Sequence, residues 1–325
     1  MENNEIKSYE SSLFIKYHKS QVSNLILLRD GRISSCSIDG TIIIYKKHSF
    51  QIDQIIKGKT DIYFHLQLNN NNLVVCYLIL RYSDFNIRME IYELNNKKFN
   101  LSQEIITELP RYKYMYVNNL LEIDDKSFIL CYKYRYIKIY KKNGSNKYEK
   151  ILEKDIQPNF YNRLNILIIN KSELASCVTG KHCIEFFDIN NKLEKIATIS
   201  DIYCSERKNS MLMLNEITLI ICGIEYNGIY LIDIKNHISI KHIMQEFYFC
   251  SMIKLLNGNI LVGFKDIYNR SGLAEYKYEK NELFEIRNVK EKKYIYNLCD
   301  LQNGKIAAMQ KCSKNIKIWE MTKAH

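Results

Sequence analysis

A chain of 325 residues, 46% hydrophobic and 12% aromatic, with two prolines and no Ser-, Gly- or Pro-rich stretch, can bury a core and offers no linker. It reads as one domain over residues 1–325, and its 47 Lys and Arg against 36 Asp and Glu leave a net charge of +11. No apolar run approaches the roughly 18 residues of a spanning helix, and "MENNEIKSYESS" lacks the apolar stretch of a secretory signal. The expectation is a soluble cytoplasmic or nuclear protein with no membrane partner.

In chain order, the first predicted element is "SSLFIKYHK", Ser11 to Lys19, with the alternation of an outer β-strand. One four-strand pattern then repeats. Its first copy runs "VSNLILL", an "RDG" turn, "RISSC", a tight turn at Asp39 and Gly40, "IIIYK" and "QIDQII". The second runs "IYFHLQL", "NLVVC", "MEIYE" and "NLSQEII", and the third "VNNLLEI", "SFILC", "IKIYK" and "KILEKDI". The fourth has "LNILII", "ELASC", "IEFFD" and "LEKIATI", and the fifth "SMLML", "TLIIC", "IYLID" and "ISIKHI". The sixth has "CSMIKLL", "NILVG", "LAEYK" and "LFEIRN". The seventh, "YNLCDL", "KIAAM" and "IKIWE", lacks a fourth strand because only "MTKAH" follows.

Two columns stand out. Cys36, Cys76, Cys131, Cys177 and Cys222 end the second strand of five copies, with Gly263 and Met309 in the same place. Tyr45, Tyr92, Tyr140, Phe187, Ile232, Tyr276 and Trp319 close the third strand at intervals of 43 to 48 residues. That spacing is near the period of a four-stranded propeller blade, so the predicted fold is all-β: a seven-bladed β-propeller of antiparallel blades. The amino-terminal strand, about residues 11–18, supplies the missing strand of the last blade and closes the ring, which hides sheet edges. The cysteine column reads as a small residue on a buried strand. No C-x-x-C pair occurs, and the histidines, with His182 beside Cys183 and His237 five before His242, complete no ligand set, so no metal and no cofactor is expected.

From His18, "HKSQVSNLILLRDGRISSCSIDGTIIIY" resembles a WD40 repeat, with Tyr45 where that family usually has Trp. The resemblance implies a buried hydrogen-bond set of His18, Ser35, Asp39 and Tyr45. The last copy keeps the N-G turn and Trp319, whereas the middle copies keep the strand pattern and lose the signature polar residues. In the WD40 arrangement, loops after the second and fourth strands meet on one face.

Here those loops are basic and aromatic: "YLILRYSDFNIR", "ELPRYKYMY", "YKYRY", "QPNFYNR", "DIYCSERKN", "GFKDIYNRSG" and "KEKKYIY". The candidate partner-binding residues are Arg81, Tyr82, Arg88, Arg111, Tyr112, Lys113, Tyr134, Arg135, Tyr161, Arg163, Arg207, Lys265, Arg270 and Lys292. Arg and Tyr combine large contact area with directional donors, and a basic rim suits acidic or phosphorylated protein segments. A compositional source competes, since Lys, Asn, Ile and Tyr share A/T-rich codons and charged loops are commonly just solvated. Asp84, Asp266 and Glu225 fall in rim loops without pairing, and neither a phosphate loop nor G-x-S-x-G occurs. The expected function is therefore a non-catalytic protein-interaction platform, either monomeric or a subunit of a larger complex. RNA or DNA binding by the same basic, aromatic face is the alternative.

Overall fold

The structure is a computed structural model. It describes residues 9–80, 85–108, 117–132, 136–156, 164–178, 182–203, 210–223, 228–244, 247–266, 270–291, 293, 295–302, 304–310 and 312–321. These form 28 strands in seven four-stranded sheets. Contacts divide the chain into two compact halves, Met1–Tyr17 with Ile199–His325, and His18–Thr198.

The half His18–Thr198 holds four blades. In each, the strands lie in sequence order, because connections of two to six residues join only adjacent antiparallel strands. Blade one is β2 (Val22–Leu27), β3 (Ile33–Ser37), β4 (Thr41–Tyr45) and β5 (Ile52–Lys57). Blade two is β6 (Ile62–Gln67), β7 (Leu73–Leu80), β8 (Phe85–Asn95) and β9 (Lys98–Glu108). Blade three is β10 (Val117–Asp124), β11 (Ser127–Tyr132), β12 (Tyr136–Lys142) and β13 (Tyr148–Asp155). Blade four is β14 (Leu164–Ile168), β15 (Glu173–Val178), β16 (Cys183–Asp188) and β17 (Glu194–Ser200).

The other half holds three blades. They are β18 (Met211–Met213), β19 (Thr218–Cys222), β20 (Gly228–Asp233) and β21 (Ile238–Met244); then β22 (Phe247–Lys254), β23 (Ile260–Asp266), β24 (Ser271–Glu279) and β25 (Glu282–Glu291). The last has β26 (Ile295–Asp300), β27 (Lys305–Gln310) and β28 (Ile316–Met321), with β1 (Tyr9–Ile15) as its outer strand. β1 pairs antiparallel with β28 from Tyr9 opposite Met321 to Ile15 opposite Ile316. The amino-terminal strand thus completes the final blade, beginning two residues before the predicted stretch and ending three before its end.

The core lies in layers between neighbouring blades. Cys36, Ile42 and Ile44 of blade one meet Val75 and Tyr77 of blade two. Cys76 and Met89 meet Leu130 and Tyr140 across the next gap, and Cys131 and Ile139 meet Ile166 and Phe187 across the third. Ile220 and Cys222 pack on Met252 and Val262, and Leu261 and Leu273 on Leu298, Ala308 and Trp319. All five column cysteines and all seven closing residues are buried, as a close-packed sheet-on-sheet layer requires.

Bulges recur at fixed places. Pairing of the third with the fourth strand shifts at Tyr45, Tyr92, Tyr140, Ile232 and Tyr276, the closing residues of five blades. In the last blade the shift falls between Ser11 and Leu13, opposite Trp319 and Ile318. Such an extra residue raises local twist, which lets a fourth strand splay away while its blade stays packed.

Candidate functional site

Blade three shows where the basic connections attach. Val117 lies opposite Tyr132, Tyr132 opposite Tyr136, and Tyr136 opposite Asp155. The start of the inner strand, the link between the second and third strands, and the end of the outer strand therefore share one sheet edge. The same holds for blade two, where Leu80 is opposite Phe85 and Asn86 opposite Glu108. Arg81, Tyr82, Arg111, Tyr112, Lys113, Tyr134, Arg135, Tyr161 and Arg163 belong to connections leaving this edge in blades two and three, and they lie outside the described residues. Arg207 and Lys292 also lie outside them.

Three candidates are described. Lys265 sits half-buried in β23 opposite Ser271, and Arg270, exposed, immediately precedes Ser271, so both reach one edge of blade six. Arg88 is a correction. It was expected on a rim loop, but β7 and β8 run on to Leu80 and Phe85, which leaves 81–84 as the connection and places Arg88 inside a strand. At 8% exposure its guanidinium pairs with Glu90 at 2.9 Å and with Glu104 at 2.5 Å. Glu90 and Glu104 face each other across β8 and β9, and a cation between them removes their repulsion. The tyrosines flanking 133–135 are also structural. Tyr132 is buried and donates to Glu153 at 2.6 Å, and Tyr136 stacks on it at 5.4 Å.

The polar set of blade one comes together. His18 Nε2 is 2.7 Å from the Ser35 hydroxyl, which is 3.0 Å from the Tyr45 hydroxyl. His18 Nδ1 is 3.0 Å from Thr41 Oγ1 and 3.4 Å from an Asp39 carboxylate oxygen. Thr41 donates its hydroxyl to Asp39 at 2.5 Å, and the Lys19 N–H donates to Asp39 at 2.7 Å. One proton assignment satisfies every group. Facing a carboxylate, Nδ1 carries the imidazole proton; Nε2 then accepts from Ser35, so the Ser35 oxygen accepts from Tyr45. Tyr45 thereby fills the donor role of an indole N–H. Thr41 belongs to this set although the sequence reading left it out; its place in the "S-x-D-G-T" turn was the available signal.

Sequence reasoning also missed a row of buried charges two residues before the closing aromatics. Besides Glu90, these are Lys138, Glu185 and Lys317, paired with Glu153 at 3.3 Å, Lys195 at 3.6 Å and Glu291 at 2.5 Å. Burying an ion without such a partner is costly, so these charges belong to the scaffold. Among the described residues no group of three His, Cys, Asp or Glu is placed to hold a metal ion.

Solved structures share this architecture. The WD40 β-propeller domain of Doa1 matches with a TM-score of 0.70 at 15% identity, over 98% of this chain and 98% of that one. A chain of the mitotic checkpoint complex matches with a TM-score of 0.74 at 9% identity, over 96% and 94%. The fold is that of a seven-bladed WD40 propeller. At these identities the likeness concerns the propeller's architecture and leaves its ligands to be argued from its own residues. No family model and no curated protein matches the sequence.

Proposed function

We propose that this propeller is a non-catalytic interaction platform that holds acidic or phosphorylated protein segments on its Tyr- and Arg-rich connections. The supporting observation is their common origin: the segments carrying Arg81, Arg111, Lys113, Arg135 and Arg163 leave the corresponding strand ends of blades two and three. Strands engaged in packing leave recognition to such connections. Guanidinium groups interleaved with tyrosines give bidentate, charge-assisted contacts to carboxylate or phosphate. One structurally similar chain is a component of the mitotic checkpoint complex, which agrees with a role in holding proteins.

The test is a binding screen of acidic and phosphoserine peptides against the intact chain and an Arg111→Glu, Arg135→Glu variant. The expected outcome is a peptide subset whose affinity falls at least about tenfold in the variant, as loss of charge-assisted contacts requires. Equal binding by both proteins would abandon this face. Binding of a single-stranded oligonucleotide, with affinity falling linearly on a log-log salt plot, would instead assign the connections to nucleic acid.

A further inference from the structure

A second recognition feature lies at the opposite strand ends, independent of the basic connections. We propose that the cleft between blades six and seven is a socket for one apolar side chain of a partner peptide that carries an Arg or Lys close to that anchor. Tyr9, Leu255, Leu256, Asp300, Gly304 and Ile306 line it, and its volume is about 160 Å³. Small-molecule pockets begin at roughly 300 Å³, so this cleft takes a side chain rather than a metabolite.

Its wall is rigid. The Tyr9 hydroxyl donates at 2.8 Å to Glu275, which is fully buried. Asn259 donates to the other carboxylate oxygen at 2.7 Å, and the Arg287 guanidinium lies 3.0 Å from Glu275 and 5.3 Å from the centre of the Tyr9 ring. With its polar end consumed, Tyr9 leaves its ring as apolar wall, which lowers the ordering cost of filling the cleft.

The lip supplies both attraction and sign. Leu256, 73% exposed, has the highest exposure of the large hydrophobic residues described. Beside it, Asp300 accepts the Leu256 N–H at 3.2 Å and the Gln302 N–H at 2.8 Å, which fixes the carboxylate in place. Nearby cations are engaged elsewhere: Lys305 pairs with Glu320 at 3.3 Å, and Lys254 reaches the Leu214 carbonyl. An apolar hollow with a fixed anion at its edge complements an aliphatic or aromatic anchor with a basic neighbour.

Fluorescence polarisation with short labelled Gly/Ser peptides tests this on the full chain. One probe carries a Leu two residues before an Arg, a second replaces the Arg by Glu, and a third replaces the Leu by Ala. The first should bind about tenfold more tightly than either control. Leu256→Glu should abolish binding, and Asp300→Asn, which keeps an acceptor for the Gln302 N–H, should remove most of the preference for Arg over Glu. The Arg111→Glu, Arg135→Glu variant should bind the first probe as the parent does, which separates this site from the basic connections. No saturable binding, binding insensitive to both Leu256→Glu and Asp300→Asn, or binding that emerges only after removal of residues 1–8 would overturn the proposal, the last by making the chain's own start the occupant.

Discussion

Burial pulls the His18 imidazole below its usual value of 6.5, and the nearby Asp39 carboxylate opposes this without reversing it. Asp39 itself lies below its usual 3.8: burial alone would raise it, and hydrogen bonds from Thr41 and Lys19, with the imidazole, overcome that. The folded chain therefore binds fewer protons at both groups than the unfolded chain does. His18 contributes stability that is complete above pH 6.5 and is lost as pH falls from there toward its lowered folded value; Asp39 adds a loss below 3.8. Each such proton steepens the decline by at most about 1.4 kcal/mol per pH unit. Urea midpoints should fall between pH 7.5 and 5.5, and His18→Gln should flatten that slope while lowering the midpoint at pH 7.5. Tyr45→Phe, which takes the donor from the Ser35 oxygen, should cost about 1 kcal/mol. A Tyr45→Phe protein as stable as its parent would show that Ser35 does not depend on Tyr45.

At the scale of the strand, the blades hide charge where their hydrophobic pattern would allow an aliphatic residue. Glu90 is the fullest case, since Tyr77 and Tyr92 each donate to one of its oxygens at 2.5 Å and Arg88 approaches the other. Burial first, and then the Glu90 carboxylate, push both phenols well above their usual value, so they remain donors. Arg88→Met strands a buried carboxylate and should destabilise the protein by about 3 to 5 kcal/mol. Combining it with Glu90→Gln should restore much of that loss in denaturant unfolding, because the buried group left behind is neutral. If the double variant were no more stable than Arg88→Met, the cost would lie in packing rather than in charge.

At the scale of the whole chain, the first strand and the last belong to one sheet, and Tyr9 ties that sheet to Glu275 of blade six across 266 positions of sequence. Without β1, β28 would present an unpaired edge, a known template for aggregation. Deleting residues 1–16 should therefore give insoluble protein without cooperative unfolding. Tyr9→Phe keeps the strand and removes one donor from a buried carboxylate that retains Asn259 and Arg287, so about 1 to 3 kcal/mol should be lost with the fold intact. Solubility and circular dichroism separate these outcomes. A soluble, cooperatively folding truncation would show that blade seven stands without its outer strand.

Sevenfold repetition, strand order within each blade, the cysteine and closing columns and the role of the amino-terminal strand were all legible in the sequence. Each depends on alternation and turn residues that act between neighbours along the chain. The candidate site was legible as composition, in the clustering of Arg and Tyr between strands. Tertiary structure decided which polar residues are spent inside. Arg88 reads like its rim companions until the register of β8 against β9 sets it between two carboxylates, and Glu275 is unremarkable until Tyr9 arrives from the far end of the chain. The bulge beside the closing residue in six of the blades is likewise unwritten, because an extra residue on the outer strand carries no side-chain signature. Pairing across strands and blades depends on groups distant in sequence, and a buried charge becomes tolerable only once that pairing exists.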